Sequence, residues 1–307
     1  MSALSQHLAT PSESWPSVRC WAKDSLLKVI KQVRDELAIQ GHGSSQSHSS
    51  LLDWMCKIRL MAKLPIEGAS IYLFEAGATT ESEVDPLELL MASVPAGVIC
   101  YMSAIVYHGL TTQHAGHHHI AKLVPTKPTQ EIEQAEVLPS ETPNLSPASG
   151  DRKSRGLGTQ LFQFHQVSYY RTDKTIKLVP GVQTRSYGPR TNIRITTVEQ
   201  TLLDSLYKPF HCGGPEVVFE AWQEAIQSDR IDEGRIVSYL HTMQYPATTR
   251  RLAVMLEQYG YSPRTELSKF FESALNAIDR NGPYARISLL PGVNYTTLND
   301  EWLVHTP

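Results

Sequence analysis

The sequence predicts a mixed α+β fold in two parts, a small helical module with a β-wing followed by a larger mixed α/β domain. Three observations carry this expectation. At 307 residues the chain exceeds the usual single-domain size, and 41% hydrophobic residues suffice for more than one core. Apolar residues in the first sixty positions recur three and four apart, the period of a helix, while short β-type runs cluster between 159 and 196. Between them lies 125–158, rich in Pro, Ser, Thr, Glu and Gly, which buries too little surface to offset its ordering entropy and reads as a mobile inserted loop.

Taken in order, 17–40 (SVRCWAKDSLLKVIKQVRDELAIQ) places Leu26, Leu27, Ile30, Val33 and Leu37 on one face of an amphipathic helix, with a break near Asp24. GHGSSQSHSS connects it to a second helix over 49–62. That helix puts Leu51, Met55, Ile58 and Ala62 on one face, sets Lys57, Arg59 and Lys63 elsewhere, and takes Ser49 or Ser50 as N-cap. After Pro65, IEGASIYLFE bends at glycine and alternates at Ile71 and Leu73, as a hairpin or wing strand does. Helix, polar turn, helix and β-wing is the order of a winged helix-turn-helix, although this turn exceeds the three or four residues of a minimal one. The same segments also fit a helical hairpin packed on the second domain. In the winged reading 49–62 is the recognition helix. His48, Ser49 and Ser50 then approach base edges, and Lys57, Arg59 and Lys63 contact or flank phosphate.

The boundary is expected at 85/86. PLELLMASVPA reads as a short helix stopped by Pro95, and GVICYMSAIVYHGLT as a strand running into a helix that Gly109 ends. HHHIAKLVP, TQLFQFHQVSYYR, TIKLVPGV and TNIRITT read as strands. In TTVEQTLLD, Glu199 follows Thr196 at capping-box spacing, with Leu202 and Leu203 in the core and Glu199 and Asp204 in structural roles. Helices fill most of the rest, and a final strand ends at Trp302 to Val304.

Bulk properties narrow the function class. No window holds eighteen uninterrupted apolar residues, and MSALSQHLATPSESWPS lacks the basic-then-apolar layout of a secretory signal, so a cytoplasmic protein is expected. Cys20, Cys56, Cys100 and Cys212 are widely spaced and read as reduced, mostly buried thiols. A net charge of −3 argues against nucleic acid, but the charge is unevenly placed. Residues 1–63 hold eight Lys/Arg against five Asp/Glu, 64–120 hold six acids and no Lys or Arg, and 161–210 hold seven bases against three acids. Local basic patches, not the sum, decide phosphate contact.

No catalytic motif stands out. His114, His117, His118 and His119 invite a metal, and His117 and His119 share a face in a strand, yet no carboxylate lies nearby in sequence. Ser103, His108 and Asp204 supply triad residue types without a GxSxG elbow. Gly213-Gly214 reads as a turn and helix start. Arg250 and Arg251 are either helix-surface residues or phosphate contacts. No metal or cofactor is expected, and the protein is read as a non-enzyme.

Five segments in order, SAIVYHGLT, TTVEQTLLD, GGPEVVFEAW, RRLAVMLEQYG and the closing EWLV, resemble the AbiEi family of antitoxin-type transcriptional regulators. Val198 stands where the family has proline, and Cys100-Tyr101 where a capping serine is common. The resemblance implies a winged helix-turn-helix over 1–85 and an antitoxin domain over 86–307. It implies an autorepressor that binds inverted repeats in double-stranded DNA and opposes a nucleotidyltransferase-like toxin without a stable complex; an oligomer on DNA is compatible with this. The alternatives are a stand-alone DNA-binding regulator and a metal-dependent hydrolase built on His114–His119.

Overall fold

The computed structural model describes residues 19–39, 46–74, 84–125, 156–187, 192–282 and 285–307. The expected loop at 125–158, apart from its ends, and the first half of the GHGSSQSHSS turn lie outside the described residues. The fold is α+β, as expected. The chain forms two compact units, Met1–Gly97 with Gln160–Tyr169 and Thr184–Arg194, and Val98–Thr159 with Tyr170–Gln183 and Ile195–Pro307. The division therefore falls at 97/98 rather than 85/86, and the first unit takes two later segments. No described helix is long and apolar enough to cross a membrane.

In the first unit, β1 (Cys20–Ala22) leads into α1 (Lys23–Ile39), so the predicted helix gives up its start to a strand. Leu26, Ile30, Val33 and Leu37 face inward, as their spacing requires. Then come α2 (His48–Lys57), β2 (Met61–Lys63) and β3 (Ile71–Phe74). The three strands are antiparallel in the order β1-β3-β2, with Trp21 opposite Tyr72 and Lys63 opposite Tyr72 on the other side. Trp21, Leu26, Ile30, Leu51, Leu52, Met55 and Met61 share one core. The α3 helix (Pro86–Ser93), capped by Asp85, belongs here too: its buried Glu88 pairs with Arg19 beside β1 at 3.1 Å.

In the second unit the two conspicuous sequence segments meet. β4 (Val98–Ile99) runs into α4 (Met102–Tyr107), and β9 (Asn192–Thr196) into α5 (Val198–Tyr207). The strands are parallel, with Ile99 opposite Ile195. His108 Nε2–H donates to the Thr196 carbonyl at 2.7 Å, after which Gly109 (φ 62) ends the helix as predicted. β5 (His117–Val124) pairs with β4 antiparallel in this unit, Val98 opposite Ala121, whereas β6 (Thr159–Phe164), β7 (Val167–Thr175) and β8 (Val182–Ser186) each draw residues from the first unit's later segments. TQLFQFHQVSYYR is thus a hairpin, turned at His165 and Gln166, both at positive φ. TIKLVPGV begins as a 3-10 turn, Ile176–Leu178, before β8.

A 3-10 turn (Pro209–Cys212) and the helices α6 (Pro215–Gln227), α7 (Glu233–Met243), α8 (Pro246–Gln258) and α9 (Thr265–Asn276) follow. Gly213-Gly214 is the expected turn and helix start. A small sheet, β10 (Ile287–Ser288), β11 (Thr297–Asn299) and β12 (Val304–Thr306), closes the chain in the order β10-β12-β11. The final strand therefore begins where it was expected to end. Leu202, Leu203, Trp222 and Leu252 lie in the main core, each at 0% exposure, as TTVEQTLLD implied for its leucines.

Candidate nucleic-acid interface

The predicted contact residues sit on and just beyond α2. Ser47, not Ser49 or Ser50, is the N-cap, its side chain accepting from Ser50 N at 3.1 Å. Ser49 and Ser50 lie exposed in the first turn, the Ser50 hydroxyl 2.8 Å from that of Ser47, and Asp53 and Lys57 continue the exposed face at helical spacing. His48 is half-buried, and its enclosed Nε2 has no hydrogen bond among the described residues.

Helix α2 ends at Lys57, five residues before the predicted 62, and the cap explains why. Arg59 takes φ 55, its N–H bonds to the Cys56 carbonyl at 3.1 Å, and Leu60 N–H bonds to the Met55 carbonyl at 3.0 Å. Those two bonds, with Met55 and Leu60 in the same core, make a Schellman motif. Glycine usually holds the left-handed position; here it is an arginine, at a cost of about 1 kcal/mol. Ile58 is exposed at 48% and Ala62 belongs to β2, so neither extends the apolar helix face. Lys63 is exposed on β2, a strand residue rather than a helical one.

Lys57, Arg59 and Lys63 thus come from a helix end, a tight turn and a strand, all exposed. The wing between β2 and β3, 64–70, has no Lys or Arg and carries exposed Glu67. Besides those three cations, the exposed Lys and Arg among the described residues of this module include Lys23, Lys28 and Lys31 of α1. The α1 lysines were not singled out from sequence, because Asp24, Asp35 and Glu36 are interspersed with them.

The polar residues of TTVEQTLLD are buried, and Asp204 is engaged by residues the sequence did not single out. Lys174 Nζ bonds to Asp204 Oδ2 at 2.7 Å and lies 4.6 Å above the Tyr101 ring. Gln200 Nε2 donates to Asp204 Oδ1 at 3.0 Å. Burial lifts the Asp204 carboxyl above its ordinary value, against the pull of Lys174 and Gln200. Thr197, not Thr196, caps α5, accepting from Gln200 N at 3.2 Å, so the capping position shifts by one residue. Thr196 ends β9 and shares a 2.7 Å hydroxyl contact with Thr201. Glu199 is buried, with its Oε2 3.8 Å from Arg235.

No triad assembles. Ser103 Oγ contacts His118 Nδ1 at 3.3 Å, His108 is held by Thr196, and Asp204 by Lys174. His117 and His119 do share a face of β5, with ring centroids 4.8 Å apart, while His114 is exposed. Their Nε2 atoms are committed to the carbonyls of His211 and Leu157 at 3.1 and 2.9 Å. Among the described residues, no group of three His, Cys, Asp or Glu is placed to hold a metal. Arg250 bonds to the carbonyls of Trp302, Ala285 and Leu303, and Arg251 to that of Ser288, so the pair fastens the closing sheet onto α8.

No family model matches the chain, and no curated protein matches it. Among solved structures, the RV2827C protein from Mycobacterium tuberculosis overlaps 98% of this chain and 88% of its own, at 12% identity and a TM-score of 0.49. A likeness at that level identifies neither a family nor a function.

Proposed function

We propose that this protein is a DNA-binding transcriptional regulator whose α2 helix enters the major groove. We further propose that it is the antitoxin and autorepressor of an AbiEi-type pair, acting in the cytoplasm on double-stranded DNA and opposing a nucleotidyltransferase-like toxin. The supporting observation is the order of the first unit. Two helices precede a two-stranded wing, β1 closes the sheet on the far side of β3, and α2 leaves Ser49, Ser50, Asp53 and Lys57 exposed on one face. Serine hydroxyls bond to either base type, and a carboxylate such as Asp53 accepts from the cytosine amino group. Lys57, Arg59 and Lys63 fit phosphate, the sequence-independent part of the contact.

The test is binding of the full chain to its own promoter across a salt series. Replacing Lys57 and Arg59 with Ala is expected to weaken binding to all sequences alike and to flatten the salt slope by about one unit per lost contact. Unchanged affinity and slope overturn the assignment. Growth rescue on co-expression with a neighbouring nucleotidyltransferase tests the antitoxin role; promoter binding without rescue leaves the stand-alone regulator.

A further inference from the structure

Three imidazoles of the second unit, His119 and His211 buried and His117 half-buried, lie in one cluster that the proposed DNA contact does not use. His119, at 0% exposure, is stacked with Tyr170 (centroids 5.4 Å, planes 26° apart) and with His211 (5.2 Å, 27°). His117 meets His119 edge-on at 4.8 Å. Tyr101 closes the group, edge-on to His119 at 5.4 Å and tilted on His211 at 4.9 Å. The bonds from His117 Nε2 to the His211 carbonyl and from His119 Nε2 to the Leu157 carbonyl need N–H donors. A neutral ring meets that demand while leaving Nδ1 without a proton, and His119 Nδ1 is enclosed with no partner among the described residues.

The surroundings disfavour an added positive charge. β7 brings Lys174 with Tyr170, Lys208 precedes the 3-10 turn that carries His211 and Cys212, and Cys100 directly follows β4. His118 faces away, onto Ser103. The α5 carboxylate, Asp204, is taken by Lys174, and the Tyr101 ring already has that ammonium over it. Two protonated rings 5.2 Å apart would face each other with no free acid between them.

We propose that His117, His119 and His211 form an acid-released latch: as neutral rings they hold the turn Pro209–Cys212 against strand β5, and proton uptake frees it. The turn is followed by Gly213 and Gly214, at φ 97 and 99, residues with wide backbone freedom. Burial above all, with the neighbouring rings and lysines, holds His119 down to about 2 and His211 to about 3, against 6.5 for a free imidazole. The closed state thus refuses protons that the open state accepts. Its advantage is complete above pH 6.5 and falls about tenfold per ring for each pH unit below that value.

Amide hydrogen exchange on the full chain reads this directly. Between pH 7.5 and 5.0, after correction for intrinsic rates, protection of 209–214 is expected to drop by about thirtyfold for each ring that takes a proton on opening, while α8 keeps its protection. His211→Phe keeps a stacking ring that cannot titrate, and its loss is expected to be about thirtyfold smaller than wild type. An equal loss in wild type and variant overturns the latch, as does a loss shared evenly with α8. Should the variant fail to fold, imidazole 15N shifts in wild type still decide: His119 and His211 titrating near 6.5 in the folded protein overturn it. Stoichiometric zinc uptake by these rings would make the cluster a metal site and also overturn it.

Discussion

The two units treat polar residues in opposite ways. In the first, Ser49, Ser50, Asp53, Lys57, Arg59 and Lys63 stand exposed, and among its described residues Glu88, paired with Arg19, is the one buried polar side chain. In the second, Lys174, Asp204, Gln200, Thr196, Thr201 and His119 are buried, and they bond to one another or to backbone. The segments most distinctive in sequence, SAIVYHGLT and TTVEQTLLD, prove to be neighbouring β-strand-to-helix turns locked together through His108 and Thr196. Distinctive residues there are a record of packing. The surface proposed to meet DNA is built from ordinary serines and lysines, whose use depends on where the helix ends.

The largest effect expected from breaking this contrast is at the buried pair. Lys174→Met leaves the Asp204 carboxylate, 1% exposed, without its cation and should cost about 3–5 kcal/mol. Adding Asp204→Leu to that variant should recover most of the loss. Equilibrium denaturation of both variants checks this, and a Lys174→Met protein as stable as wild type would show the pair to be solvated. Next is Leu203→Ala, at a fully buried position of the main core, expected to cost about 2–5 kcal/mol and to lower the melting temperature clearly. A melting temperature equal to wild type would contradict that burial.

The smallest effect sharpens the comparison most. Arg59→Gly relieves a left-handed backbone and should stabilise the protein by up to about 1 kcal/mol while weakening promoter binding. Paired melting and binding curves separate the two. A variant that gains stability and keeps full affinity removes Arg59 from the interface.

Much of this organisation was legible in the sequence. The apolar periodicity of α1, the stop at Gly109 and the buried leucines of α5 follow from local patterns that tertiary structure reinforces. Where the reading failed, two local signals competed. The helix predicted to run to 62 stops at 57 because its stop signal is an arginine in a glycine's conformation, and because Ile58 and Ala62 happen to continue the period. Adjacent threonines at 196 and 197 made the cap ambiguous by one residue: Thr196 ends β9 with its hydroxyl on Thr201, and Thr197 accepts the capping bond from Gln200 N. The Lys174–Asp204 pair joins positions 30 apart, and nothing local to either residue announces the other. The first unit's share of later segments is invisible for the same reason.

The cap of α2 has a further consequence for how the surface can change over generations. The helix end is set by two backbone hydrogen bonds and by the Met55–Leu60 contact, none of which uses the side chain at 59. That side chain is a socket: exchanging it alters what is offered at the end of the helix without moving the helix or the wing strand behind it. In the proposed role, a lineage could retune its affinity for a drifting operator by single substitutions at this one position, with the fold insulated from the experiment.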